Sequence, residues 1–219
     1  MAITFNSCTK ERESGGSKNG STKLVKTLTG DDGYYTEFFY DKQQHLIKVI
    51  NEEVYVTFTY NKDKITQEDH YNGYTTIYTL DNKGYVIRSD DYDDGVHEHY
   101  TTHEYSNGYL VKSTSDGGYT TYTWQNGNLT KIVEDGGVQQ YTEILTYNNI
   151  ENKWNYDPYF AELSLIFKGV TSKNYLVKLT ASSGFTSTLK YTYDSDGYPT
   201  KIVISSSYGG SETITITYY

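Results

Sequence analysis

The sequence is poor in residues that cross-link or kink a chain, with one cysteine and two prolines among 219 residues. A single cysteine excludes an internal disulfide. No stretch reaches the roughly 20 apolar residues of a membrane-spanning helix. The sequence also lacks a phosphate loop, a nucleophile elbow and the basic excess that nucleic acids attract, since its formal net charge is −9. These absences predict a non-enzymatic protein that uses no cofactor and binds no nucleic acid.

Tyrosine and glycine are abundant instead, with 26 and 19 copies. Tyrosine and threonine suit strands that are buried on one side and wet on the other. The run 54–60 shows the expected alternation, because Val54, Val56 and Phe58 share one face while threonines occupy the other. Turn clusters rich in Asp, Asn and Gly separate such runs, and they favour hairpins between consecutive antiparallel strands.

One unit recurs along the chain: a strand that ends on an aromatic residue, an Asp/Asn/Gly turn, and a strand with Lys or Arg at a fixed place. The copies span 38–48, 78–88, 103–112, 122–131 and 191–201. A period of roughly 20 to 25 residues means that each copy covers its apolar face only against neighbouring copies. The cations form a row on alternate strands that could meet a polyanion, but cross-strand pairing with Thr, Asp and Glu and protection against aggregation explain them better, because the chain is negatively charged overall.

The pattern predicts an all-β fold, an antiparallel up-and-down meander of about 16 short strands, in a single domain over residues 22–219. So many strands with one apolar face must close into a barrel-like, porin-like shape or a flattened sandwich. One stretch departs from the alternation. Asp157 suits a helix N-cap, Pro158 the first helical position and Gly169 the terminator, which predicts one short helix near 157–168 that covers an apolar end of the sheet.

The first residues, Met1 to Cys8, resemble the end of a bacterial lipoprotein signal, in which the cysteine is lipidated. On this interpretation residues 1–21 are a residual signal and a disordered tether, Cys8 is the lipidation site, and the true start lies upstream of Met1. The alternative is a free cysteine in a disordered terminus. The charged cluster 10–13 resembles signals that send Bacteroidota lipoproteins to the outer cell surface. We therefore expect a location at the outer membrane or cell surface, with the periplasmic face as the alternative.

The Tyr-Asp turns resemble the YD repeats of RHS-type shell proteins. Together with the late segments 171–178 and 191–201, they look like a family of Bacteroidota lipoproteins of unknown function with a porin-like fold. The resemblance implies a β-barrel in the cell envelope and brings no catalytic residues.

His97, His99 and His103 alternate along one run and would share a face of a strand unless a bulge intervenes. Imidazoles on one face could bind a transition metal, with His97 and His99 as the weak candidates. However, residues 97 and 103 lie about 20 Å apart on an extended strand. A polar, hydrogen-bonded strand explains them better, and no metal is assigned.

Trp124 and Trp154 could offer stacking surfaces for a sugar ring, although core packing explains aromatic positions that recur in every unit. The leading hypothesis is a lipid-anchored cell-envelope protein with a binding or structural role, held to the membrane only by its lipid, with a possible glycan or protein partner. A carbohydrate-binding surface lipoprotein of a glycan-uptake system is the first alternative, and a small outer-membrane pore is the second.

Overall fold

The structure, a computed structural model, describes residues 23–137, 140–154 and 171–219. Its sixteen strands are β1 Val25–Gly30, β2 Tyr35–Tyr40, β3 Leu46–Ile50, β4 Tyr55–Tyr60, β5 Lys64–Asp69, β6 Tyr74–Leu80, β7 Val86–Asp93, β8 Val96–Ser106, β9 Tyr109–Ser115, β10 Gly118–Gln125, β11 Asn128–Asp135, β12 Gln140–Glu151, β13 Asn174–Ala181, β14 Thr186–Tyr193, β15 Pro199–Ser206 and β16 Ser211–Tyr218. The predicted tether, Cys8 and the helix predicted over 157–168 lie outside the described residues.

Every strand pairs antiparallel with its neighbours in sequence, and β1 pairs with β16, which closes the sheet as a barrel. At this seam Leu28 lies opposite Ile216. The prediction of an all-β meander of about 16 strands is confirmed, and of its two alternatives the closed barrel is the one formed. Closure leaves no unpaired strand edge for another chain to extend.

The up-and-down path separates the connections into two sets at opposite ends of the barrel. We call one set the aromatic end, which comprises turns 41–45, 61–63, 81–85, 107–108, 126–127 and 194–198 together with positions 23–24, 152–154, 171–173 and 219. We call the other set the polar end, which comprises turns 31–34, 51–54, 70–73, 94–95, 116–117, 136–137, 182–185 and 207–210.

The inner face of the barrel holds the core. Side chains from strands all round the barrel join one buried cluster, in which Val86, Leu179 and Ile202 are each 0% exposed. Porin barrels of similar strand number leave an aqueous channel. In this chain side chains pack much of the interior, because apolar residues occupy successive inward positions at the aromatic end.

A β-bulge at the start of most odd-numbered strands sets which residues point inward. In β3, Leu46 lies opposite Tyr40 while Lys48 lies opposite Phe39, so Ile47 is the extra residue. The same register shift recurs at the starts of β7, β9, β11, β13 and β15. The bulge directs the first apolar residue into the core and the following Lys or Arg outward. It therefore explains why the repeat carries a cation at a fixed place.

The turns of the Tyr-Asp units share one hydrogen-bond pattern. Asp41 Oδ1 accepts bonds from the backbone N–H groups of Gln43 and His45, both at 2.8 Å. Asp81 and Asp194 accept the equivalent pair of bonds. An aspartate that bonds the backbone two and four residues ahead fixes the turn locally, which is why this residue type recurs there.

Candidate functional site

A cavity of about 710 Å³ opens inside the barrel toward the polar end. It lies between strands β5 and β11, and its wall is formed by Gln67, Thr76, Tyr78, Ser89, Asp91, Thr101, His103, Ser113, Ser115, Gly117, Gly118, Tyr119, Thr120, Tyr122, Glu134, Asp135 and Gly136. This volume falls in the range of small-molecule sites, roughly 300–1,000 Å³. The wall consists mainly of hydroxyl, amide, carboxyl and imidazole groups, so the cavity is a polar site.

The cavity exists because the inward positions change character along these strands. In β9 the first inward residue is the buried Leu110, and the later ones are Ser113 and Ser115. On the opposite side of the barrel, Leu189 and Ile202 keep the inner face apolar. Small polar side chains leave the volume that leucine and isoleucine fill elsewhere.

The back of the cavity is a chain of hydrogen-bonded side chains centred on His103. Its Nδ1 lies 2.9 Å from Ser113 Oγ, and its Nε2 lies 3.4 Å from Ser89 Oγ. Ser113 Oγ in turn donates to Tyr122 Oη at 3.5 Å. Ser89 and Ser113 are both buried. These hydrogen bonds fix the imidazole ring, and the bonded side chains present donors and acceptors to the cavity.

Burial lowers the pKa of His103 from about 6.5 to about 4. The ring is therefore neutral at pH 7, with one nitrogen able to donate and the other to accept. A general base works best when its pKa lies near the working pH. A histidine with a pKa this low is a weak base at neutral pH, and His103 is hydrogen-bonded to Ser89 and Ser113.

Carboxylates occupy the side and mouth of the cavity. Thr76 Oγ1 donates to Asp91 Oδ1 at 2.6 Å, and His99 Nε2 lies 3.1 Å from Asp91 Oδ2. Glu134 lies at the mouth and makes no ion pair with any residue that the structure describes. Burial raises the pKa of the neighbouring Glu143, and the charge of Glu134 adds to the rise. Negative charge is thus concentrated at this end of the interior.

The three histidines of β8 do not share a face. Between β7 and β8 the register shifts, so that Asp91 lies opposite His99 but Tyr92 lies opposite His97. His97 Nε2 lies 3.2 Å from Asp90 on the outer side, whereas His99 and His103 follow the inner face. In the part of the chain that the structure describes, no three His, Cys, Asp or Glu side chains come close enough to hold a metal ion. A β-bulge between β7 and β8 therefore intervenes, and it turns His97 to the opposite face from His99 and His103.

The two tryptophans are placed as packing residues. Trp154 is 3% exposed, so its ring offers no face to a sugar and the stacking role is not supported. Trp124 is half-buried at the aromatic end, against the ring of Tyr109. Its Nε1 donates to the backbone carbonyl of Leu110 at 2.8 Å.

That bond of Trp124 belongs to a recurring set at the aromatic end, in which an aromatic side chain donates to the carbonyl of one of the first three residues of the preceding strand. The other members are Tyr60 to Leu46, Tyr147 to Leu129, Tyr191 to Leu176 and Tyr218 to Pro199, at 2.6–2.9 Å. The acceptor residues sit at bulges, where the ladder is locally disrupted. These bonds supply a side-chain donor to carbonyls at the bulges and thereby fasten the aromatic end.

No family model and no curated protein matches the sequence. Among solved structures the chain is similar to a porin-like protein from Bacteroides uniformis, with 18% identity and a TM-score of 0.73 over 90% of this chain and 96% of that one. It is also similar to a porin-like protein from Bacteroides vulgatus, with 15% identity and a TM-score of 0.63 over 90% and 99%. Identity this low shows a shared fold, and the porin-like fold is thereby confirmed. The lipid anchor and the YD-repeat kinship stay predictions.

No helix within residues 23–137, 140–154 and 171–219 is long and apolar enough to cross a bilayer.

The sequence analysis missed the cavity wall, including Ser89, Asp91, Ser113 and Glu134. The available signal was a change in the alternation, since the inward positions of β7 to β10 turn from apolar to polar halfway along each strand. Within a single strand this change looks like an ordinary solvated strand end, and only the closed topology shows that the polar residues meet.

Proposed function

We propose that this chain is a non-enzymatic, lipid-anchored protein of the bacterial cell envelope that binds a small polar ligand in the cavity of its barrel. The observation that carries the proposal is the cavity itself: a polar volume of about 710 Å³ whose back wall is held by the Ser89–His103–Ser113 hydrogen bonds. Fixed polar groups in a concave site are the usual means of orienting a ligand. The weak basicity of His103 supports a binding role over catalysis.

The position of the N-terminal segment fits a lipid anchor at the end of the barrel opposite the cavity mouth. The chain enters β1 at the aromatic end, through Lys23 and Leu24. A lipid on Cys8 would therefore hold the aromatic end toward the membrane and leave the cavity mouth facing away from it. Such an orientation suits capture of a ligand at the outer membrane or cell surface, or in the periplasm if the lipid lies in the inner leaflet.

A transmembrane pore fits the observations less well. Outward-facing cations such as Lys131, Lys178 and Lys201 occupy β11, β13 and β15 at positions that lipid would contact. A charged side chain on the lipid face costs roughly 2–4 kcal/mol at the bilayer midplane. The packed interior at the aromatic end would also block conduction.

Carbohydrate binding remains the specific alternative for the ligand, and one observation favours it. The wall presents many hydroxyl groups, which can exchange hydrogen bonds with the hydroxyl groups of a sugar.

Ligand screening by thermal shift tests the proposal. The purified chain would be heated with a panel of mono- and disaccharides, amino sugars, amino acids and polyamines, and a ligand should raise the Tm. Thr101→Phe, which fills the cavity, should abolish the shift. Thr102→Phe, one residue away on the outer face, should retain it. A panel without hits, or hits that survive in Thr101→Phe, would overturn the proposal.

A further inference from the structure

The lysines and the arginine that the structure describes are confined to the aromatic end and the outer face of the barrel, whereas carboxylates occur at both ends. Within the described ranges, every lysine and the arginine lie at the aromatic end or on the outer face of a strand. They are Lys23, Lys26, Lys42, Lys48, Lys62, Lys64, Lys83, Arg88, Lys112, Lys131, Lys153, Lys173, Lys178, Lys190 and Lys201. None of the described cations lies in a polar-end turn or on the wall of the cavity.

The polar end carries the opposite charge. Its turns and the strand ends beside them hold Asp31, Asp32, Glu52, Glu53, Asp69, Asp93, Asp94, Asp116 and Asp135. Asp91 and Glu134 lie on the cavity wall itself. A ligand that approaches the mouth therefore meets carboxylates on the rim and then carboxylates inside.

Clefts lined by one sign of charge focus the field and raise the local concentration of the opposite ion. The nearest cations do not cancel this field, because Arg88 is paired outside the barrel with Asp90 at 2.6 Å and stacks over Tyr100. Lys112 lies over the ring of Tyr119, on the outer side of β9. An anion in the cavity would find no positive partner on the described wall.

We infer that the cavity selects a small organic cation that also carries hydroxyl or amide groups. The inference rests on the proposed function and names the ligand class for the same site. Glu134, which has no ion pair with a described residue, receives the ammonium group, and Asp91 adds attraction from the side. Ser89, Ser113, Thr101 and the neutral His103 serve the ligand's uncharged polar groups.

The test compares three probes of similar shape and different charge by isothermal titration calorimetry at low ionic strength. The probes are a disaccharide of glucosamine, its N-acetylated form and a disaccharide of galacturonic acid. The amine should bind at least about tenfold more tightly than the acetylated form, the uronic acid should not bind, and added salt should weaken binding of the amine.

Two variants separate the charge of the cavity from the charge of the whole molecule. Glu134→Gln should weaken binding of the amine roughly tenfold. Glu104→Gln is the matched control, because Glu104 lies opposite Lys112 on the outer face of the same barrel wall, and it should leave binding unchanged.

Equal or tighter binding of the acetylated or acidic probe would overturn the inference, as would absent binding of the amine or an unchanged affinity in Glu134→Gln. Binding of the amine that survives in Thr101→Phe would place it outside the cavity and would also overturn the inference. If neutral ligands from the panel still depend on Thr101, the proposed function stands while the cation preference fails. If no ligand depends on Thr101, both fail.

Discussion

The aromatic end and the polar end are built from the same strands and differ in what those strands turn inward. On β11, Leu129 is buried at the aromatic end, and Glu134 faces the cavity mouth at the polar end. At one end aromatic donors and bulges fasten a packed core; at the other, small polar side chains surround a cavity. The first half of β11 thus contributes to the packed core, and its second half contributes to the wall of the cavity.

The comparison predicts that truncation within β11 has unequal effects along the strand. Leu129→Ala should lower the free energy of unfolding by about 2–5 kcal/mol, because it leaves a void in a tightly packed region. Glu134→Ala, on the same strand at the polar end, should change it by about 0.5 kcal/mol or less. Urea unfolding followed by circular dichroism measures both values. Similar losses of unfolding free energy for the two variants would contradict the view that the aromatic end stabilises the fold more than the polar end does.

Removal of one hydroxyl should also cost more at the aromatic end. Tyr60→Phe deletes the donor to the carbonyl of Leu46, a bond of 2.9 Å, and should destabilise the fold by about 1–3 kcal/mol. Tyr119→Phe at the polar end deletes an exposed bond to Asp135 and should be close to neutral. Thermal unfolding of both variants beside the parent chain checks the prediction, and a neutral Tyr60→Phe would argue against the fastening role.

The polar end should confer acid sensitivity through His103. Its pKa is about 4 in the fold and about 6.5 in the unfolded chain, so the unfolded chain takes up a proton first as the pH falls. This destabilisation is absent above about pH 6.5, grows as the pH falls and is complete below about pH 4, where it reaches about 1–2 kcal/mol after allowance for partial solvent screening. Urea unfolding across this range measures it. His103→Gln should flatten the profile, and an equally steep profile in that variant would refute the assignment.

The smallest expected effect lies in a turn of the aromatic end. Gln44 adopts a φ of 66°, at the place that Gly84 and Gly197 occupy in the equivalent turns. Gln44→Gly should stabilise the fold by about 0.5 kcal/mol, because relief of the left-handed strain is partly offset by the greater freedom of glycine in the unfolded chain. Gly84→Ala should destabilise it by about 1 kcal/mol. A Tm series of the two variants tests the pair, and a lower Tm for Gln44→Gly would contradict the turn equivalence.

Much of the fold could be predicted because its signals are local. Alternation, Asp-containing turns and the repeat period indicate the number and the pairing of strands, and the count of strands excludes a flat open sheet while leaving a closed barrel and a flattened sandwich as alternatives. The inner face of β7 and β8 could not be predicted in the same way. Whether His97 shares a face with His99 depends on one extra residue in the register, and the pattern of residue types looks alike with or without it.

The sorting of charge was also present in the sequence but could not be interpreted without the topology. Turns such as 31–34 and 116–117 carry only acidic charge, whereas turns 81–85 and 41–45 each include a lysine. In an up-and-down meander alternate turns lie at the same end of the barrel. Turns 31–34 and 116–117 therefore both lie at the polar end, and the turns that include a lysine gather at the aromatic end. The role of Trp124 likewise depends on the topology, since its Nε1 donates to the carbonyl of Leu110 beside the bulge of the neighbouring strand.

The pairing of β1 with β16 has a topological consequence. The backbone N–H of Tyr219 donates to the carbonyl of Leu24 at 3.0 Å, so the first and last described strands run side by side at the aromatic end. A short linker could join them, and the chain could then be opened at a polar-end hairpin such as 207–210 without breaking a strand. A circular permutant of this kind would keep the barrel while moving both termini from the aromatic end to the polar end.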